Sequence, residues 1–189
     1  MDTHATRLGR GMVRRLRTTI RPFLSSSVRS LYVIEISQAI NTFYITALTP
    51  DPSLTGDHVV LAYVITLAEH QLNTDLHVTN ASPSAPLSFQ ALLHTYIRAP
   101  AGAAHIDGLQ NLTYLDKTVA GNQKLRESRA IADVQQYTDF VYENAPGEYT
   151  VTWPDGGLKV KAIKFKDVVL WNPGPQKGKE IGDMEEGGW

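Results

Sequence analysis

Apolar and polar residues alternate with a period of two along much of this chain, in runs short enough to predict strands joined by turns. The run that carries most chemistry extends from Leu87 to Ile97, ahead of Pro100. Its odd positions, Leu87, Phe89, Ala91, Leu93 and Ile97, are apolar apart from Thr95, while its even positions include Gln90, Leu92, His94 and Tyr96, with Arg98 next in line. Successive side chains of a strand point to opposite faces. The pattern therefore predicts one core face and one polar, aromatic face on which His94 lies with Gln90, Tyr96 and Arg98.

The neighbouring runs behave alike. Val59 to Leu67 and Leu72 to Asn80 flank the polar break Ala68-Glu69-His70-Gln71 and predict an antiparallel hairpin with one wet face, Leu72, Thr74, Leu76 and Val78 sharing the other. Asn80 to Pro86, rich in serine and proline, predicts a turn, as does Pro50 to Asp57. Leu31 to Leu48 fits helix or strand, its β-branched and aromatic residues favouring strand. Beyond Pro100, short strands are expected at His105 to Leu109 and Leu112 to Lys117, and Lys124 to Ala132 fits a short helix or a polar strand. Val134 to Tyr142 leads into the clearest hairpin, Tyr149 to Trp153 and Leu158 to Ala162 around Pro154-Asp155-Gly156-Gly157. Val168 to Trp171 is a last apolar strand, closed by Asn172-Pro173-Gly174-Pro175 and followed by a polar tail. Many short strands at close spacing predict an all-β sandwich.

Composition narrows the function. The 189 residues are 42% hydrophobic and 20% charged, enough for one cored domain, and a net charge of −1 gives no overall attraction to nucleic acid or anionic membrane. No uncharged apolar run approaches the roughly 18 residues of a membrane-spanning helix. The absence of cysteine excludes disulfides and thiolate metal sites and suits a reducing compartment, so the expected location is cytoplasmic. Residues 1–30 hold seven arginines against the single acid Asp2, with Ser25-Ser26-Ser27. They read as a basic tail or as a mitochondrial transit peptide, the latter making the location mitochondrial, and residues 31–189 read as the domain. The histidines show no metal-ligand spacing, and Asn80-Ala81-Ser82 and Asn111-Leu112-Thr113, which fit the N-glycosylation pattern, read as chance without a secretory signal.

From about Tyr63 onward several ordered segments carry a resemblance. They are Tyr63 to Leu67, Leu72 to Asn80, Phe89 to Arg98 with His94-Thr95-Tyr96, Gly108-Leu109, Tyr114-Leu115-Asp116-Lys117, Thr138 to Tyr142, and Val168 to Pro173 with Asp183 beyond. Together they make the chain resemble the hexose-6-phosphate mutarotases, the glucose-6-phosphate 1-epimerases of the aldose 1-epimerase superfamily. The resemblance implies a partial galactose-mutarotase-like antiparallel β-sandwich and an isomerase, expected as a monomer, that needs neither metal nor organic cofactor. It interconverts the α and β anomers of a hexose phosphate such as glucose 6-phosphate. It also implies that His94 is the acid toward the ring oxygen and that Asp139 contacts sugar hydroxyls. Imidazole suits the first role because its ordinary pKa of about 6.5 lets it give and recover a proton near neutrality, and a carboxylate suits the second because it accepts hydroxyl hydrogen bonds.

Three departures from the pattern matter. The family's general-base glutamate, in a Val-Glu-Pro-Gly-like context, would lie beyond Trp189, and its His-Gly-x-x-Arg motif is absent from residues 1–57, so the domain is expected to be incomplete at both ends. Phe140 stands where an arginine often follows the aspartate. Read without the resemblance, His94 is a surface or hydrogen-bonded structural histidine, Asp139 a turn or cap residue, Trp171 core packing and Arg98 a solvated strand-end cation. Three functions therefore stand open: an epimerase, a carbohydrate-binding or vestigial relative without turnover, and an unrelated β-sandwich interaction module.

Overall fold

β-Branched and aromatic residues fill short alternating runs, and the chain folds accordingly as antiparallel strands almost throughout. The computed structural model describes residues 6–8, 13–22, 42–45, 59–68 and 70–182, with the side chains of 62–68 and 70–182. The strands are β1 (Thr6–Leu8), β2 (Val13–Pro22), β3 (Thr42–Ile45), β4 (Val59–Ala68), β5 (Gln71–Asn80) and β6 (Leu87–Phe89). After a 3-10 turn at Ala101–Ala103 come β7 (His105–Asp107), β8 (Thr113–Asp116), β9 (Gln123–Arg126) and β10 (Ala132–Asp133). Then follow β11 (Thr138–Tyr142), β12 (Glu148–Trp153), β13 (Gly156–Ile163), β14 (Val168–Asn172) and a single helical turn, α1 (Gly174–Gly178). The described parts of residues 1–30 are the strands β1 and β2, and that of Leu31 to Leu48 is β3. Asp183 and the tail beyond it lie outside the described residues. Two compact units are distinguished, Met1–Thr19 with Glu35–Thr95 and Ile20–Ile34 with Tyr96–Trp189.

In the first unit β3, β4 and β5 form an antiparallel meander, with Tyr44 opposite Val64 and Tyr63 opposite Leu76. The β4–β5 hairpin closes at Ala68 opposite Gln71, where the polar break was expected. Its predicted wet face needs correcting. Asp75 is only 1% exposed and Asn73 is buried, on the face opposite the one that buries Val78. A carboxylate is taken out of water only where other polar groups receive it, so strand alternation alone does not decide which face is wet. Past β5 the Ser/Pro-rich turn is held by side chains. The Asn80 carboxamide accepts the Ser82 N–H at 2.9 Å and donates to the Ala85 carbonyl at 2.9 Å, while the Ser82 hydroxyl accepts the Ala85 N–H at 2.9 Å.

The long strand expected from Leu87 to Ile97 is shorter. Only Leu87–Phe89 pairs, with β1, in the register Leu8–Leu87 to Thr6–Phe89, and residues 90–100 carry no ladder. Burial nevertheless keeps alternating. Leu87, Phe89, Ala91 and Leu93 are half-buried while Ser88, Gln90, Leu92 and His94 are exposed, Leu92 at 70%. Alternation reports which way side chains face, whereas a strand also needs a hydrogen-bonded ladder.

The second unit is itself a two-sheet sandwich. One sheet runs β10-β7-β12-β13 and places Ala132, Ile106, Val151 and Leu158 directly opposite one another in a single buried row. The other runs β14-β11-β8-β9 and turns Phe140, Tyr142 and Tyr114 toward the same core, the Tyr114 ring 4.7 Å from that of Phe140 and 5.1 Å from that of Tyr142. The β12–β13 connection is two residues, Pro154-Asp155, tighter than expected, because Trp153 pairs with Gly156. Gly156 thus sits in the strand, where a Cβ would meet the Trp153 indole nitrogen at 2.9 Å. Lys124 to Ala132, open between helix and strand, contributes β9 and the first residue of β10.

Candidate functional site

β11 reads Thr-Asp-Phe-Val-Tyr, and its period of two sends Thr138, Phe140 and Tyr142 inward and Asp139 and Val141 to the outer face of their sheet. The register then builds a cluster around Asp139. Trp171 of β14 lies directly opposite it, and Lys117, next after β8, donates its backbone N–H to the Asp139 carbonyl at 2.9 Å. The Lys117 ammonium reaches both carboxylate oxygens, at 3.4 Å and 3.3 Å. Tyr96 meets the Trp171 ring edge to face, with centroids 6.4 Å apart and planes at 87°. Tyr96 itself is 67% exposed. An aromatic pair beside a carboxylate and an ammonium is chemistry that suits a sugar: ring faces pack on C–H surfaces, the carboxylate accepts hydroxyl hydrogen bonds and the ammonium donates them.

His94 is exposed and belongs to the first unit, at the end of the alternating segment, whereas Asp139 and Tyr96 belong to the second. Arg98 is also exposed. Trp171, expected as core packing, is half-buried on the outer face with Asp139. Nothing in the sequence singled out Lys117. It stood inside the Tyr114-Leu115-Asp116-Lys117 segment, 22 residues from Asp139, and only strand register brings the two together.

A second polar cluster lies under the sheet and is structural. Glu127 is 2% exposed, and one carboxylate oxygen accepts the Arg129 backbone N–H at 3.0 Å and its Nε at 2.9 Å. The other accepts Arg129 NH2 at 2.8 Å and the Tyr142 hydroxyl at 2.8 Å. Arg129 also reaches Asp133 at 3.2 Å. Burial pushes the Glu127 carboxyl up, but the hydrogen bonds from Arg129 and Tyr142 outweigh it and hold the group down at about 2. Burial and the bond to Glu127 push the Tyr142 hydroxyl well above its ordinary range. Both of its oxygens are taken up by Arg129 and Tyr142, which leaves Glu127 poorly placed to accept a proton from a ligand. Among the described residues no group of three or more His, Asp or Glu side chains is arranged to hold a metal ion.

The model of the aldose 1-epimerase family matches residues 35–189. The chain belongs to the aldose 1-epimerase family. The match takes in β3 through α1 and begins upstream of Tyr63, where the ordered sequence segments started. Membership accounts for the antiparallel, nearly all-β architecture, which is that of a mutarotase-like β-sandwich. The chemistry of aldose 1-epimerases is the interconversion of aldose anomers, and their ligands are sugars.

Proposed function

We propose that this aldose 1-epimerase family member interconverts the α and β anomers of a hexose 6-phosphate, glucose 6-phosphate being the expected substrate. What carries the reading is the outward Asp139, flanked by Trp171 and held by Lys117 on the face of a sheet within a chain of this family. Opening the ring requires a proton to leave the anomeric hydroxyl while another reaches the ring oxygen, and closure on the other face reverses both transfers. His94 supplies the proton to the ring oxygen, Asp139 accepts hydrogen bonds from sugar hydroxyls, and the proton of the anomeric hydroxyl passes to water, since no residue of this sequence is assigned the family's general-base role. The position of His94 in the His94-Thr95-Tyr96 segment supports its role, and the setting of Asp139 supports the second. The phosphate preference rests on the sequence resemblance to hexose-6-phosphate mutarotases. The reading extends to a monomer working in the cytoplasm, a compartment that suits a cysteine-free chain.

A second reading, sugar binding without turnover, draws support from Glu127, the buried glutamate of the described residues, whose carboxylate is consumed by Arg129 and Tyr142. Exchange spectroscopy by NMR on equilibrated glucose 6-phosphate separates the two. Anomer exchange above the buffer rate, reduced about 100-fold or more in His94→Ala, is the expected result for general acid catalysis. Exchange no faster than buffer, with sugar still bound, establishes the binding protein instead, and exchange indifferent to His94→Ala removes the proton-donor assignment.

A further inference from the structure

Surface ion pairs among the described residues differ in how far water reaches them. Lys124–Glu143 and Lys161–Glu148 are open to solvent, with side chains 60% and 39% exposed in the first. Water competes for such pairs, and they hold nothing in place. Lys117–Asp139 differs: its side chains are 35% and 16% exposed, its backbone joins the two residues through a 2.9 Å hydrogen bond, and Trp171 is the cross-strand neighbour of Asp139 on the other side. The ammonium sits 3.3 Å and 3.4 Å from the two oxygens, astride them and not tight upon one. A carboxylate offers about four lone-pair sites, and this approach leaves the outward ones available to a ligand.

We propose that Lys117 is a positioning residue, which fixes the rotamer of Asp139 so that the carboxylate is already oriented to accept two sugar hydroxyls. This inference rests on the assignment of Asp139 to sugar binding. Asp139 would otherwise turn about its side-chain torsions, and orienting it would draw on binding energy. A partner reached through strand register removes that cost before the sugar arrives. Lys117 acts through Asp139 and needs no contact with the ligand. Its effect is accordingly blind to whether the sugar carries a phosphate.

That blindness is the test. Binding of glucose and of glucose 6-phosphate to the full chain would be titrated by NMR for wild type, Lys117→Met, Lys117→Arg, Asp139→Asn and the Lys117→Met/Asp139→Asn double variant. The expected result is a loss of about tenfold in affinity for both sugars in Lys117→Met, equal within a factor of two, largely restored in Lys117→Arg. It comes with a melting temperature within about 2 °C of wild type, since a partly exposed pair contributes little to folding. In the double variant, Lys117→Met adds nothing to the loss from Asp139→Asn. A loss confined to glucose 6-phosphate makes Lys117 a phosphate contact and overturns the proposal, and so does unchanged or tighter binding, or a melt lowered by several degrees. If Asp139→Asn weakens binding while Lys117→Met does not, the positioning role alone falls. If Asp139→Asn is neutral, or the wild type binds neither sugar, the assignment of Asp139 falls as well.

Discussion

Glu127 carries the sharpest pH signature among the described side chains. Its carboxyl titrates at about 2 in the folded protein against an ordinary 4.5, because Arg129 and Tyr142 hydrogen-bond the charged form more strongly than burial disfavours it. A folded value below the unfolded one means that the stabilisation is complete above pH 4.5 and drains away as pH falls toward 2. Glu127→Gln should therefore cost about 2 kcal/mol at pH 7, less than a wholly buried pair because Arg129 reaches solvent. The gap from wild type should narrow steadily between pH 5 and pH 2.5. Urea denaturation across that range checks both, and a gap independent of pH would contradict the assignment. Asp139 and Lys117 belong to the same scale, and the positioning role proposed for Lys117 expects the opposite balance from that pair, little for folding and more for the ligand.

At the scale of elements, two glycines show how backbone and side chain divide the constraints on turns. Gly108, after β7, has φ of +99°, and a Cβ there would lie 2.7 Å from the Glu148 carbonyl oxygen of β12. Both the dihedral and the contact oppose a side chain, and a carbonyl held in a ladder has little room to yield. Gly156 meets only the movable Trp153 indole and needs no left-handed φ. Gly108→Ala should therefore lower stability by about 2–3 kcal/mol and Gly156→Ala by about 1 kcal/mol, measured as shifts in the urea midpoint. Equal costs would show that the indole is as rigid as the backbone. The alternating segment after β6 teaches a related lesson, since its facing follows from sequence while it carries no ladder.

For the molecule as a whole, the most consequential packing lies in the second unit, where the row Ala132–Ile106–Val151–Leu158 crosses four strands and faces the Tyr114–Phe140–Tyr142 rings of the other sheet. Ile106 is in the middle of it. Ile106→Ala should remove about 2–4 kcal/mol, the transfer and cavity cost of a buried aliphatic side chain, read as a lowered urea midpoint at unchanged slope. A cost below 1 kcal/mol would mean that the sheets collapse onto the gap. Family membership gives this protein its class of chemistry, and the proposed function sets the sugar against the outer face of β14-β11-β8-β9, where Asp139 and Trp171 are cross-strand neighbours.

What the sequence by itself determined is local: short alternating runs made the chain all-β, placed the β4–β5 and β12–β13 hairpins, and set the direction in which His94 and Asp139 face. Each follows from a period of two that neighbouring residues fix among themselves. The tertiary structure decided which strands meet and in what register. Strand pairing put Lys117 against Asp139 and brought Tyr142 to Glu127, while packing buried Asp75 on a face that read as wet. These contacts join residues far apart in the chain or depend on what packs above them. Periodicity cannot carry that information, because a strand's alternation is the same whichever neighbour it finds.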